Sequence, residues 1–404
     1  MLAILTTHPI QYQVPLWQAL ARDGRVHFEV WFLTDHGVRV SHDQEFAKDF
    51  AWDLNMLEGY PHRFLITTRG ATPASFWKCR LGESLAKRLR MMDTTALWVQ
   101  GWQVAAYWQA VWAAKRAGIQ VWLRGESNDL APKPIWKNGV KSLLLGEFFR
   151  RVDHFLYIGS ANRRLYEKYG VPPSRLHPAS YAVDSERFAR QARSLHPRRL
   201  ELRRRWGIPE DAFCVLFCGK FIPKKRPHDV IAAAQRLIES GRLSNIHLLF
   251  VGSGQLGDAL RRDCLVVNDA ENSNTARYAA LSNRSRPPAS FTGFLNQTEI
   301  CPAYVAADCL VLPSDYGETW GLVVNEAMAA GLRCVLSDQC GAAMDLGRLP
   351  QNRVFPCGDV PSLASHLADL LTAPESSTGV SLPESFSFTA TISTVAGLCA
   401  KSRN

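Results

Sequence analysis

The stretch Val311 to Gly331, VLPSDYGETWGLVVNEAMAAG, constrains the fold more than any other part of the chain. Leu310-Val311-Leu312-Pro313 is the apolar end of a strand. Ser314 to Gly321 is a turn rich in residues that tolerate unusual backbone angles. Leu322 to Ala330 is helix-like, closed by Gly331 at a position that suits a left-handed cap. Strand, turn and helix in that order aim backbone N–H groups and the positive helix end at whatever lies over the strand's carboxyl end. That suits a phosphate. Glu318 in the turn and Glu326 in the helix stand eight positions apart. They are free to accept hydroxyls, one at the helix mouth and one further in. Phosphate with sugar hydroxyls describes a sugar nucleotide; the alternative is two carboxylates on a solvated surface.

The same strand–helix alternation runs through the chain, and 404 residues suit two or three domains. Strand candidates in the first half are Leu2–Thr6, Val26–Leu33, Arg63–Thr67, Ala96–Val99, Gln120–Leu123 and His154–Ile158, with a helix over Val104–Ala117. Strands separated by helices predict a doubly wound parallel sheet with ligands at the strands' carboxyl ends. At 47% hydrophobic and 21% charged residues the chain can build more than one core. A formal charge of +10 suits anionic partners without choosing among nucleotide, lipid headgroup and nucleic acid. Ten cysteines include no CxxC pair, and Cys214, Cys218, Cys309 and Cys334 sit in strand-like runs. They read as reduced core residues rather than a disulfide framework or zinc site. The start, MLAILTTHPIQYQ, has no basic leader, and the apolar run Val104 to Ala114 is too short for a span, so a cytoplasmic location is expected.

The turn and helix of the opening stretch, P-S-x-x-G-E-x-x-G-x-x-x-x-E-A-M-A-x-G, resemble the E-x7-E signature of retaining nucleotide-sugar glycosyltransferases with the GT-B fold, family 4 (the group 1 type). The resemblance implies two Rossmann-like domains facing a cleft: an acceptor domain over 1–188, a basic linker over 189–211, a donor domain over 212–387, and a tail over 388–404 that crosses back. It implies that Glu326 binds ribose hydroxyls. Glu318, with Gly317, Thr319, Trp320, Gly321 and Leu322 beside it, would hold the transferring sugar. The phrase Tyr181-Ala-Val-Asp-Ser-Glu-Arg-Phe188 resembles the one that closes the family's first domain, with its first two positions changed.

Further phrases in the second half extend the likeness. After the strand Phe213–Cys218 comes Gly219-Lys220-Phe221-Ile222-Pro223-Lys224-Lys225-Arg226. A basic turn between strand and helix is again an anion site, or else a solvated turn. It resembles the G-R-L-x-x-x-K-G phrase whose Arg and Lys hold the donor diphosphate. Lys225 matches, Lys220 stands where Arg is usual, and Arg226 replaces the Gly. Gly252-Ser253-Gly254 after His247–Val251 resembles the turn where small residues let the nucleotide approach, and Phe294 belongs to a phrase beside the base. Asn296–Asp308 reads as a helix, and residues 266–288 as a polar surface insertion. No DxD occurs, so no metal or other cofactor is expected. The implied reaction is transfer of a sugar from a nucleotide sugar to an acceptor hydroxyl with retention. A sugar-nucleotide epimerase, a hydrolase and a non-catalytic binding subunit are the alternatives.

In the first half, His8, Gln11 and Tyr12 follow the first strand and offer an acceptor floor, unless His8 only caps a turn. The family's glycine-rich loop is missing there. Arg124-Gly125-Glu126 follows another strand, and Glu126 either lines the site or serves a local Arg124 pair or a helix cap. Lys133 to Arg151, KPIWKNGVKSLLLGEFFRR, reads as a basic amphipathic surface for anionic lipid or as a loop with a packing helix. Peripheral membrane contact and a saccharide or lipid-linked acceptor follow from the first reading. The basic run Arg190 to Arg205 has only Trp206 near it, against a nucleic-acid face.

Overall fold

The computed structural model describes residues 1–38, 41–43, 48–50, 52–73, 75–131, 139–243, 245–272, 286–372 and 380–401. Two compact units emerge, one of Met1–Ser41, Leu54–Val183 and Glu384–Asn404, the other of His42–Asp53 and Asp184–Pro383.

The first unit holds β1 (Leu2–Thr6) and β2 (Phe28–Phe32). After the short β3 (Ser41–Asp43) and β4 (Lys48–Phe50), which pair with each other, it continues with β5 (His62–Phe64) and β6 (Ala96–Val99). Then come β7 (Gln120–Leu123), β8 (His154–Tyr157) and β9 (Leu176–Pro178). Their order is β5-β2-β1-β6-β7-β8-β9, parallel throughout. Helices cover both faces, which is why strands such as β1 and β6 are apolar runs without alternation. Alternate residues Leu5, Val99 and Leu123 pack one face with Tyr107, Ala110 and Val111 of the helix Ala105–Arg116. The chain leaves β1 toward β2 and returns at β6, so the order reverses between β1 and β6. The helix Phe388–Lys401 packs on the helix Val14–Asp23, and Thr391 donates to the Ser180 carbonyl at 3.5 Å.

The second unit contains β10 (Phe213–Cys218), β11 (Ile246–Val251), β12 (Leu265–Asp269) and β13 (Pro288–Gly293). It ends with β14 (Cys309–Leu312), β15 (Arg333–Ser337) and β16 (Arg353–Phe355). The order β12-β13-β11-β10-β14-β15-β16 is again all parallel and reverses between β10 and β14. The doubly wound α/β class read from the sequence is present in both units. Several elements differ in extent. The helix expected over 296–308 is confined to Cys301–Ala306, and β12 is an edge strand inside the stretch read as an insertion. Residues 273–285 of that insertion lie outside the described residues.

The basic stretch read as a linker is largely helical, over Ser185–Leu195 and Arg199–Arg205, and part of it is core. Arg203 is buried because its guanidinium donates to the carbonyls of Ala306, Pro209, Glu210 and Ala212 and to Asp308 Oδ2 at 2.7 Å. Asp308 also accepts from Arg199 at 2.6 Å and from Cys214 N at 2.7 Å. A charged group tolerates burial when every donor finds an acceptor. Counting cations in a sequence cannot reveal that.

Candidate active site

The reversal in strand order puts the loops after β10 and β14 side by side, since Val215 pairs with Cys309 and Leu216 with Leu310. Ligands of open α/β sheets bind at such a point, outside the carboxyl ends of the strands. The β10 loop is held close to the β11 loop by backbone. Gly219 N donates to Val251 O, and Phe221 N to Ser253 O at 2.8 Å. A Cβ on Gly252 would stand 2.0 Å from the Gly219 carbonyl, so only glycine fits there. On the other side, Gly321 caps the helix Leu322–Ala329 at φ 101°, and a Cβ would meet Leu312 at 2.5 Å. That helix's N-cap residue, a glycine, brings no side chain to the helix mouth. Its N-terminus opens at the carboxyl edge of β14, where an anion is favoured.

Lys225 and Glu318 meet across this reversal in an ion pair, both largely buried. Ser314 donates to the same carboxylate oxygen at 3.4 Å. Burial opposes the charge on Lys225, but the Glu318 charge and hydrogen bond outweigh it and leave the ammonium above its ordinary value. The other cations of the loop do different work. Arg226, in left-handed conformation at φ 49°, is tied to Asp229 at 2.7 and 3.1 Å. Lys224 is exposed and lends its carbonyl to Asp315 N, while its side chain runs against Gly317. Lys220 is half-buried beside Gly219.

Glu326 is fully buried. Tyr304 donates to its Oε2 at 2.6 Å and Gln297 to its Oε1 at 3.2 Å. Arg187 in turn fixes Gln297 through its carbonyl at 2.7 Å and its side-chain oxygen at 3.1 Å. Burial raises the carboxyl's pKa, and the two hydrogen bonds with the Arg187 charge offset only part of that. A carboxylate has about four acceptor directions, so these donors leave capacity for hydroxyls. Sequence reading missed Tyr304, Gln297 and Arg187. The signal available was a polar residue on each element flanking the strand–turn–helix unit.

The remaining donor-side candidates occupy three loops. Thr319 is exposed and Trp320 is buried, its indole donating to Asn325 at 2.8 Å, while Leu322 begins the helix. The turn is clamped from behind by Gly341 N to Glu318 O and Ala342 N to Trp320 O. Gly254 follows β11, and Phe294 follows β13. Phe294 faces Trp52 with ring centroids 6.2 Å apart, and Asp53 accepts from Thr298 N at 2.9 Å. That contact brings residues from the first half of the chain into the second unit. Among the described residues no cluster of three or more His, Cys, Asp or Glu is placed to hold a metal.

In the first unit, His8, Gln11 and Tyr12 follow β1 and are half-buried. His8 Nδ1 lies 2.9 Å from the Thr7 hydroxyl, and burial with His36 beside it lowers its pKa to about 4. His8 is therefore neutral at pH 7. Glu126 follows β7 and accepts from the Tyr181 hydroxyl rather than from Arg124. Burial, with the Glu126 charge adding to it, raises the Tyr181 pKa.

Two parallel sheets with this order and reversal fit the GT-B fold of the solved structures the chain superposes on. The family model of the group 1 glycosyl transferases (Glycosyl transferases group 1) matches residues 198–381. The HepE protein of Anabaena, solved with UDP and glucose, superposes with TM-score 0.64 over 99% of each chain at 15% identity. WaaG, a glycosyltransferase involved in lipopolysaccharide biosynthesis, gives 0.58 over 92% of this chain and 91% of its own, at 16% identity. Likeness at such identities speaks for the fold. In sequence, D-inositol 3-phosphate glycosyltransferase of Thermobispora bispora is 31% identical over 215 residues, 53% of this chain and 46% of the relative. An uncharacterized glycosyltransferase of Methanocaldococcus jannaschii is 30% identical over 157 residues, 39% and 35% of the two chains. The chain thus spans less than half the length of these relatives.

Proposed function

We propose that the protein transfers a sugar from a nucleotide sugar to an acceptor hydroxyl with retention of anomeric configuration. The observation that carries this reading is the Lys225–Glu318 pair at the strand-order reversal, beside a helix N-terminus whose N-cap is Gly321. Lys225 and Lys220, with the helix N-terminus, would stabilise charge on the departing diphosphate. Glu318 would hold the transferring sugar and Glu326 the ribose. His8, Gln11, Tyr12 and Glu126 are proposed for acceptor recognition, and no metal is assigned a step. UDP and glucose bound in HepE make UDP-glucose the first donor to try. The test is release of UDP from UDP-hexoses with and without a panel of saccharide acceptors. Acceptor-dependent release with an α-linked product from an α-linked donor is expected. Conversion of donor without acceptor, or binding without turnover on any acceptor, overturns the reading.

A membrane-presented acceptor, such as a lipid-linked saccharide, is supported by the helix Gly139–Arg150. It exposes Leu143 and Leu144 while burying Leu145, Phe148 and Phe149. Lys133, Trp136 and Lys137 lie outside the described residues, as does the side chain of Lys141. Arg150 and Arg151 both pair with Glu147, which lowers the charge they present. Among the described residues no helix is long and apolar enough to cross a membrane. We expect the protein to sediment with vesicles of phosphatidylglycerol at low salt and to be released at high salt. Replacing Leu143 and Leu144 by serine should weaken that binding. Protein left in the supernatant at low salt points to a water-soluble acceptor.

A further inference from the structure

The carboxyl edge of the first unit's sheet holds two buried donors that find no partner among the described residues. In the parallel register Leu5, Val99 and Leu123 stand side by side on β1, β6 and β7. The next row is Thr6, Gln100 and Arg124, since Gln100 N donates to Leu5 O and Arg124 N to Val99 O. Thr6 is occupied with Gln13 at 3.4 Å. Gln100 and Arg124 are only 7% and 3% exposed, yet Gln100 Nε2 and Arg124 Nε have no hydrogen-bond partner. The guanidinium lies over the Tyr181 ring, 4.9 Å from its centroid. Glu126 is the carboxylate that acts on it electrostatically. Glu126, one residue beyond Gly125, is taken by the Tyr181 hydroxyl.

Contrast Arg203, equally buried, whose donors are all matched. A buried guanidinium nitrogen without an acceptor is costly, and perturbed charged groups cluster at functional sites. Burial accordingly lowers the Arg124 pKa despite Tyr181 and Glu126 nearby. Glu126 keeps the cluster close to neutral, which allows the cation to stay buried in the free protein. The guanidinium fork matches two oxygens of a carboxylate or phosphate, and the Gln100 amide can supply a further donor.

We propose that Gln100 and Arg124 form an anion subsite at the carboxyl edge of β6 and β7 that takes a phosphate or carboxylate carried by the acceptor. The anion site stands on the geometry alone; its assignment to the acceptor rests on the function proposed above.

Calorimetry on the full chain tests it, with inorganic phosphate, glucose 6-phosphate and glucuronate as probes and methyl glucoside as the uncharged control. At least one charged probe should bind saturably, and methyl glucoside more weakly. Arg124→Gln should lower that affinity about tenfold or more, the loss of one charge-assisted contact. Gln100→Met should lower it several-fold. Affinity for UDP should stay unchanged in both. Preference for glucose 6-phosphate over glucuronate assigns a phosphate, and the reverse a carboxylate. If Arg124→Gln does not fold, Gln100→Met carries the test. Charged probes that bind no better than methyl glucoside, or bind both variants as well as wild type, overturn the site. Failure of the donor reading looks different: wild type would then not bind UDP, whatever the small anions do.

Discussion

Lys225→Ala is expected to lower kcat/KM by about 100-fold, on the order of 3 kcal/mol of transition-state stabilisation. Its affinity for nucleoside diphosphate should fall about tenfold or more. Lys225 is a charge-assisted donor at the strand-order reversal, and it is pre-positioned by Glu318 before any ligand arrives. Removing it leaves the Glu318 carboxylate, itself largely buried, facing the phosphates with nothing between them. Repulsion then adds to the lost attraction, which is why the effect should exceed that of a single hydrogen bond. A double-mutant cycle with Glu318→Ala should therefore be strongly non-additive in nucleotide affinity. The pair also sets a pH window. Because the folded-state pKa of Lys225 lies above its ordinary 10.5, the pair's stabilisation is complete below that value and fades as pH rises through the folded pKa. Calorimetry with UDP and steady-state kinetics check the main claim. Unchanged UDP affinity in Lys225→Ala removes this residue from the site.

The second expectation separates the two carboxylates. Glu326→Gln should weaken both bare UDP and the full donor about tenfold, whereas Glu318→Gln should leave UDP affinity nearly intact while transfer falls. Glu326 sits fully buried under Tyr304 and Gln297, and its place in the helix is a turn and more beyond the mouth. Glutamine there keeps the shape but presents an amide toward the Gln297 amide, whose oxygen is already taken by Arg187. An independent readout comes from pH. The folded pKa of Glu326 is raised above the ordinary 4.5, so its ionisation destabilises the fold. The stability of wild type relative to Glu326→Gln should be highest below pH 4.5 and decline as pH rises toward the folded pKa, then level off. Thermal unfolding of both proteins across pH 4 to 8 measures this. Equal loss of UDP affinity in the two variants contradicts the division of roles, and a pH-independent difference in Tm contradicts the buried charge.

The sequence by itself determined the class of fold and the frame of the candidate site. Unbroken apolar strands such as Phe213–Cys218 suit central strands covered on both faces, and the strand–turn–helix that carries Glu318 and Glu326 is contiguous in the chain. Local chemistry is periodic or adjacent, so it survives in one dimension. What the sequence could not hold was partnership between distant residues. Four cations in the loop after β10 look alike in order, but tertiary contacts give Lys225 to Glu318 and Arg226 to Asp229. The same applies to the two arginines that composition cannot tell apart. Arg203 is matched by the Ala306 carbonyl and the Asp308 carboxylate, both more than a hundred residues away, and by three carbonyls close in sequence, and becomes part of the fold. Arg124 is buried beside an aromatic ring, and its Nε finds no partner among the described residues. The difference lies in which acceptors the packing brings within about 3 Å, and only the tertiary structure decides that.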